Sequence, residues 1–196
     1  EYRPEHFLLK AENPLAIGPY DLGCHYMEHK VQQAEAMKGA KKRILEVAAQ
    51  FAALTGREYG LFEAYRMEDA EIALVLIGSS AGTAKVTVDA LRARGIPAGL
   101  VKIRVFRPFP AEELAQTLKN VKALAILDKA ESFSAQGGPL FAEVRAALYD
   151  LEPRPRTVGY VYGLGGRDIT PAHFASVFAR LEAIAAGGEL GPVYSH

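Results

Sequence analysis

The chain has 196 residues, of which 49% are hydrophobic and 23% are charged, a composition typical of a globular domain with a buried core. Lysine plus arginine equals aspartate plus glutamate at 23 each, so no net charge attracts the chain to nucleic acid or to an anionic membrane. The longest apolar run, residues 72–77, is far shorter than the ~20 residues of a membrane-spanning helix. The only cysteine, Cys24, excludes an internal disulfide and predicts a reducing, cytoplasmic compartment.

The first third of the chain differs in pattern from the rest. Residues 1–26 combine prolines and glycines with scattered apolar residues and show no helical or strand period, which predicts an extended arm or linker. The chain begins at Glu1 rather than at a methionine, so we expect a fragment or a processed piece. Residues 27–66 are predicted to form a long amphipathic helix, over 27–54, and a connector.

Residues 67–196 alternate between short apolar runs and helical patterns. The apolar runs predict four strands, at residues 71–77, 99–105, 122–127 and 156–162. This alternation predicts an α/β domain with a mostly parallel sheet and helices on both faces. Such sheets bind ligands and partners at the loops that follow the carboxyl ends of their strands.

Residues 25–29 match H-x-x-E-H, the inverted motif of some zinc peptidases. On a helix, His25 and His29 would lie one turn apart and could both bind Zn²⁺, with Glu28 as the base. The motif lies where the arm meets the helix, no third ligand accompanies it, and a five-residue pattern often arises by chance. We therefore interpret the two histidines as surface residues and predict no metal site.

The turn after the first predicted strand is rich in small residues and opens a helix. Exposed N–H groups at a helix start can bind a phosphate or a carboxylate. The turn is neither a phosphate loop nor a dinucleotide fingerprint, and Lys85 does not directly follow the glycine. A structural role in turning the chain is therefore the favoured interpretation. The anion-site candidates are Ser79, Ser80, Gly82 and Thr83.

Two further loops follow predicted strands. The 163–168 loop resembles a dinucleotide fingerprint, but an aspartate holds the third glycine position and the loop follows the last strand. A contact with a partner or substrate and a plain structural turn are equally open interpretations. The 128–138 loop carries two carboxylates, yet no histidine or nucleophile is placed to complete a catalytic set, so we predict no catalytic residue. The interface or ligand-loop candidates are Gly163, Gly165, Gly166, Arg167, Asp168, Asp128, Gly137 and Gly138.

Five segments, in the same order, resemble the α subunits of pyruvate (2-oxoacid):ferredoxin oxidoreductases. They are residues 57–71, 78–83, 103–110, 137–140 and 162–168, and the last of them, Tyr-Gly-Leu-Gly-Gly-Arg-Asp, is the most specific. The pairs Asn13-Pro14 and Gly18-Pro19 resemble the tail that leaves the first domain of such a subunit. The resemblance covers nearly the whole chain but only the C-terminal half of such a subunit.

The resemblance implies a fold like that of the transketolase C-terminal domain. It also implies a part in an enzyme that decarboxylates a 2-oxoacid with thiamin diphosphate, retains the acyl group as a CoA thioester and passes electrons through iron–sulfur clusters to ferredoxin. In that family the pyrimidine ring and its activating glutamate belong to the preceding domain, and the diphosphate, Mg²⁺ and clusters to other domains or subunits. The implied partners are those domains and subunits, and ferredoxin through the complex.

The chain lacks a cysteine cluster and a diphosphate motif, so no catalytic residue carries over from the family. We expect no cofactor to bind to this chain alone and no activity from it. Three alternatives remain: a self-sufficient anion- or nucleotide-binding module, an interaction domain unrelated to oxidoreduction, and the C-terminal domain of a transketolase or 2-oxoacid dehydrogenase. The five segments favour the ferredoxin-linked family.

Overall fold

The computed structural model describes residues 11–12, 18, 20–133 and 136–195. The chain divides into two compact units, residues 1–40 and residues 41–196. Helix α1 (Tyr26–Thr55) begins in the first unit and ends in the second, in agreement with the long helix predicted over 27–54. Asn13, Pro14 and Pro19, which contributed to the family resemblance, lie outside the described residues.

The second unit contains one sheet with the strand order β1-β3-β2-β4-β5-β6. Strand β1 runs antiparallel to β3, and all the other pairings are parallel, as the sequence predicted for most of the sheet. The outer strands β1 and β6 were not predicted, because two to four residues are too few to show a clear period. The strands are β1 (Phe62–Tyr65), β2 (Ile72–Ile77), β3 (Ala98–Ile103), β4 (Ala123–Asp128), β5 (Arg156–Val161) and β6 (Tyr194–Ser195).

Helices cover both faces of the sheet. Two of them contribute to the apolar core on one face, where Val88 and Phe174 are fully buried, and two to the core on the other face, which contains Leu114 and Phe141. Successive residues of a strand point to opposite faces, and residues 72–76 of β2 and 123–127 of β4 are buried on both, which explains why these two segments are continuous apolar runs. The helices are α2 (Ser80–Ala93) and α5 (Pro171–Ala185) on the first face, and α3 (Ala111–Leu118) and α4 (Pro139–Ala147) on the second.

The strand register brings three loops to the centre of one sheet edge. Leu127 of β4 pairs with Leu76 of β2 on one side and with Tyr160 of β5 on the other, so the three strands end side by side. The N–H of Tyr162 donates to the carbonyl oxygen of Asp128 at 3.0 Å, which extends this contact past the strand ends. We call the surface formed by the loops after β2, β4 and β5 the carboxyl edge.

The part of α1 in the second unit is anchored to α3 by an ion pair. Lys41 Nζ lies 2.7 Å from a carboxylate oxygen of Glu113. On another side of the helix, Val47 and Leu54 are 61% and 85% exposed, so the helix presents apolar residues to solvent as well as polar ones. Among the described residues, no helix combines the length and the apolar character needed to cross a membrane.

Candidate functional site

The carboxyl edge brings together candidate residues from three strand ends. Ser79 follows β2 and precedes α2, whose first turn contains the candidates Ser80, Gly82 and Thr83. The 128–138 loop follows β4, and the 163–168 loop follows β5. The pairing of β4 with both neighbours places these loops next to one another. The structure therefore brings the predicted residues together at one surface, where each has a different environment.

Asp128 closes its loop by binding the start of helix α4. Its two carboxylate oxygens accept hydrogen bonds from the N–H of Leu140 at 2.8 Å and the N–H of Phe141 at 2.9 Å. These are N–H groups of the first helical turn, which have no partner within the helix. Asp128 is only 4% exposed, so the bonds form away from solvent. Both oxygens are occupied by the protein itself, which gives Asp128 a structural role as a helix cap supplied from a neighbouring strand.

The two glycines before α4 make room for this arrangement. A Cβ at Gly138 would lie 2.5 Å from Oδ2 of Asp128, and a Cβ at Gly137 would clash with the ring of Phe141. Gly138 has φ −70° and ψ 170°, a conformation open to any residue, so only the space beside the carboxylate requires glycine there. The structure thus explains Asp128, Gly137 and Gly138 as one packed unit.

Burial raises the pKa values of two side chains at the carboxyl edge. Loss of solvent raises the pKa of the Asp128 carboxyl above its ordinary value, although the N–H groups of Leu140 and Phe141 oppose the shift and the charge of Glu131 adds to it. Burial likewise raises the pKa of Tyr162, a shift that nearby Ser80 opposes. The buried Tyr162 hydroxyl makes no hydrogen bond of normal geometry with any residue in the described part of the chain.

The 163–168 loop is held in a conformation that suits glycine. Gly163, Gly165 and Gly166 have φ values of 65°, 65° and 80°, in the left-handed region that residues with a Cβ seldom adopt. Within the loop, residues Leu164–Gly166 form a single 3₁₀ turn. A Cβ at Gly163 would also lie 3.0 Å from Cε of Lys129, so the side chain of this lysine packs against the loop.

Arg167 and Asp168 project from the end of this loop. Both are exposed, and neither side chain makes a hydrogen bond or an ion pair with the residues that the structure describes. They line a groove of about 800 Å³ between β5 and the start of α5, together with Tyr160, Tyr162 and His173. His173 Nδ1 accepts the N–H of Thr170 at 3.1 Å, which leaves Nε2 to carry the proton in the neutral ring.

The turn after β2 differs from a phosphate-binding loop in its surroundings. Ser79 caps helix α2 without a side-chain hydrogen bond, and Ser80 is buried. The ammonium group of Lys85 pairs with the carboxylate of Glu63 on β1. This ion pair joins α2 to strand β1 at the edge of the sheet, so the lysine already has a partner. Arg104 lies 2.8 Å from the other carboxylate oxygen of Glu63. Gly82 and Thr83, predicted to lie in the turn that opens the helix, are in the first turn of α2 itself, which begins at Ser80.

The H-x-x-E-H segment lies around the start of α1, as expected. His29 Nδ1 is 2.6 Å from a carboxylate oxygen of Asp21, which precedes the helix. Within the described ranges, no three His, Cys, Asp or Glu side chains come together in a group that could hold a metal ion.

Sequence reasoning missed an apolar feature of the carboxyl edge. Phe133, in the 128–138 loop, is 99% exposed. Beside the same loop is a pocket of about 420 Å³. The sequence shows Phe133 as a single aromatic residue within a polar loop, so it could have been noticed there. The pocket could not, because its lining residues are distant from one another in sequence. It is lined by Ile77, Phe106, Leu127, Asp128, Lys129, Ala130, Pro139 and Leu140.

Comparisons with known proteins identify the family. A sequence model described as "Pyruvate:ferredoxin oxidoreductase core domain II" matches residues 70–174, which is more than half of the chain and includes strands β2 to β5. The chain belongs to this family. The resemblance predicted from the five segments is thereby confirmed, and the mostly parallel α/β fold agrees with it.

Two relatives of this core domain II illustrate the similarity. The chain is 47% identical over 178 residues to pyruvate synthase subunit PorA of Thermotoga maritima, covering 91% of this chain and 45% of that protein. It is 38% identical over 189 residues to ketoisovalerate oxidoreductase subunit VorA of Pyrococcus horikoshii, covering 96% of this chain and 48% of that protein. This chain therefore spans about half the length of these relatives.

The chain was also compared with solved structures. The 2-oxoglutarate:ferredoxin oxidoreductase of Magnetococcus marinus aligns with a TM-score of 0.46 and 20% identity, over 66% of this chain and 21% of that chain.

Proposed function

We propose that this chain is domain II of the α subunit of a thiamin-diphosphate-dependent 2-oxoacid:ferredoxin oxidoreductase. The proposed enzyme oxidatively decarboxylates a 2-oxoacid to an acyl-CoA and transfers the electrons to ferredoxin. The similarity to pyruvate synthase subunit PorA, at 47% identity, supports pyruvate as the substrate. A cytoplasmic location is part of the proposal, supported by the single free cysteine.

The chain's own residues do not fit the iron–sulfur clusters that such an enzyme needs. Clusters of this kind are held by about four cysteine thiolates, and the sequence has one cysteine. We therefore assign the clusters, thiamin diphosphate, Mg²⁺ and CoA to other domains or subunits, and assign no catalytic step to this chain. Its contribution is structural.

Within that enzyme, we propose that the 163–168 and 128–138 loops support the cofactor-bearing domains or a neighbouring subunit. One observation carries this proposal: the side chains of Arg167 and Asp168 are exposed beside the glycine turn at the carboxyl edge and have no partner among the described residues. An exposed guanidinium is suited to a paired, charge-assisted contact with another chain.

The variant Arg167→Ala in the full complex tests this role. We expect less assembled complex and lower turnover at a fixed concentration, because the contact loses its charged hydrogen bonds. Arg57→Ala is the matched control, since Arg57 is exposed and its side chain also has no partner in the described part of the chain. Assembly and turnover equal to those of the unsubstituted enzyme in both variants would show that the 163–168 loop has no such role.

A further inference from the structure

A groove of about 890 Å³ lies between helix α4 and residues 190–193, the segment that leads into β6. Because β4 and β5 are parallel, α4 runs back from the end of β4 to the start of β5. The part of the groove beside the last turns of α4 therefore lies at the amino ends of these strands, opposite the carboxyl edge. Apolar side chains line that part, among them Ala146, Leu148 and Val193. We call this part the basic groove, for the reason given below.

One wall of the basic groove is tied firmly to the sheet. The guanidinium of Arg180 donates hydrogen bonds to the carbonyl oxygens of Leu190 at 2.8 Å and Pro192 at 2.5 Å. The N–H of Gly159 in β5 donates to the carbonyl oxygen of Val193 at 2.7 Å. These bonds form the wall in the absence of any ligand, so a ligand does not have to order it on binding.

Positive charge is concentrated on the rim of the basic groove. Three arginines line it, Arg145, Arg154 and Arg156, against one acid, Asp150. The rim thus carries three positive charges and one negative charge, an excess of two, whereas the whole chain has a formal net charge of zero. An excess of one sign beside an apolar surface favours a ligand that combines negative charge with an apolar group.

These arginines are poorly neutralised by the protein itself. Arg145 has no carboxylate partner among the described residues, and Arg156 donates only to the carbonyl oxygens of Ile184 at 3.1 Å and Gly188 at 2.6 Å. Arg154 has a carboxylate partner, Glu152, at 3.3 Å, but both side chains are exposed and such pairs contribute little. By contrast, each arginine in a list of three outside the groove lies 2.6–2.8 Å from a carboxylate: Arg92, Arg104 and Arg107.

Aromatic rings hold two of the guanidinium groups in place. Cζ of Arg145 lies 5.3 Å from the centroid of the Phe141 ring, and Cζ of Arg154 lies 5.5 Å from that of Tyr149. A cation over the face of a ring is attracted to it, which restricts the side chain before binding. A carboxylate that binds such a guanidinium meets a group that has already lost part of its freedom.

We propose that the basic groove binds an acidic segment of a partner protein. Carboxylates of the segment pair with Arg145 and Arg154, and a neighbouring apolar side chain lies against Val193 and Tyr149, which are 38% and 71% exposed. Arginine clusters beside an apolar surface recognise acidic peptide motifs in this way. A small molecule is a poorer fit, because such ligands are mostly enclosed by their sites and the arginines here are all exposed. The groove has no part in the proposed function of the 163–168 loop, so the two stand independently.

The test begins with an unbiased selection. A random peptide library displayed on phage is selected on the immobilised full chain. We expect the enriched peptides to carry aspartate or glutamate on both sides of a leucine or an aromatic residue. Absence of enrichment, or enriched peptides without an excess of acidic residues, would overturn the proposal.

Charge variants then locate the binding site. The most enriched peptide is labelled with fluorescein and titrated with the chain by fluorescence anisotropy, beside a matched peptide in which amides replace the carboxylates. Arg145→Glu should weaken binding of the acidic peptide by about tenfold or more, because a like charge then faces its carboxylates. Tyr149→Ser should weaken it as well, through the loss of apolar contact. The matched amide peptide should bind more weakly to the unsubstituted chain.

Arg94→Glu is the matched control, since Arg94 is also exposed but ends α2 on the opposite face of the sheet. It makes the same change in net charge and should leave binding within about twofold of the unsubstituted chain. Thermal melting checks that each variant is folded. Equal losses in Arg145→Glu and Arg94→Glu would show only general attraction and would contradict a site in the groove. Sedimentation of the chain without peptide tests a second copy as the occupant: a dimer that Arg145→Glu dissociates would overturn the proposal of an acidic partner segment.

Discussion

Asp128 illustrates how a residue type can suggest chemistry that its surroundings exclude. From the sequence, Asp128 and Glu131 formed a carboxylate pair that could serve acid–base catalysis. In the structure, both oxygens of Asp128 accept backbone N–H groups of α4, and the side chain is buried. A carboxylate whose oxygens are bound in this way holds a loop and a helix together rather than a substrate.

The buried carboxyl predicts an unusual dependence of stability on pH. The pKa of Asp128 is raised in the folded chain, so between its unfolded and folded pKa values the folded state binds more protons than the unfolded state. The contribution of Asp128 to the free energy of unfolding is therefore greatest below the ordinary aspartate range and falls as the pH rises through the folded pKa. This contribution is measured by urea unfolding of the unsubstituted chain and of the Asp128→Asn variant at a series of pH values. It is the difference between their free energies of unfolding at each pH.

Glu63 provides a control with the opposite sign. The hydrogen bond and charge of Lys85 hold the pKa of the Glu63 carboxyl below its ordinary value, despite partial burial. Its contribution to stability is present above the ordinary glutamate range and is lost as the pH falls. The difference between the unsubstituted chain and Glu63→Gln should therefore rise with pH. A difference for Asp128→Asn that also rises with pH would contradict the assigned effect of burial.

At the scale of elements, the start of α4 depends on the absence of a side chain. Gly138 packs against the carboxylate of Asp128, which in turn binds the first turn of the helix. The first turn of α2 is built differently, because Gly82 has open space around the position of a Cβ. Both glycines lie near the start of a helix, but only Gly138 lacks the space for a side chain.

This difference predicts opposite effects of the same substitution. Gly138→Ala should lower the free energy of unfolding by about 2 kcal/mol or more, because the new methyl group displaces the carboxylate from its hydrogen bonds. Gly82→Ala should raise it by about 0.5 kcal/mol, because alanine favours the helix and meets no neighbour. Chemical denaturation of the two variants gives both values. Equal effects would show that the space beside Asp128 does not determine the residue at 138.

At the scale of the whole molecule, two functions of the carboxyl edge can be distinguished by experiment. The main alternative to a supporting role is a self-sufficient module that binds an anion or a nucleotide at the turn after β2 or at the 163–168 loop. Lys85, which a phosphate could use, is instead paired with Glu63. The groove beside Arg167 is open to solvent, so binding there can be measured directly.

Calorimetric titration of the chain distinguishes these functions. We expect weak or no binding of CoA, nucleotides or thiamin diphosphate, because the turn after β2 does not match a phosphate-binding loop and Lys85 is paired with Glu63. Arg167→Ala serves as the control for any heat that is observed. Saturable binding that this variant abolishes would favour the self-sufficient module over the structural domain.

The sequence by itself determined the fold class and the family of this protein. Buried parallel strands such as β2 and β4 require continuous apolar runs, and such runs are visible without any knowledge of long-range contacts. The 162–168 segment was specific because closely spaced glycines, an arginine and an aspartate in a fixed order seldom occur by chance. Strand β1 was invisible, since its four residues are stabilised by pairing with β3, which is distant in sequence.

Only the tertiary structure decided what the candidate residues do. Asp128 and Gly138 are ten residues apart, and their contact depends on the path of the loop between β4 and α4. Lys85 is directed to Glu63 by the pairing of β1 with β3, which no local pattern records. Arg167 is distinguished by the lack of a partner in the described part of the chain, a property that depends on every neighbour at once. Local sequence encodes backbone preference and burial, whereas the role of a polar side chain is fixed by groups brought to it from elsewhere in the chain.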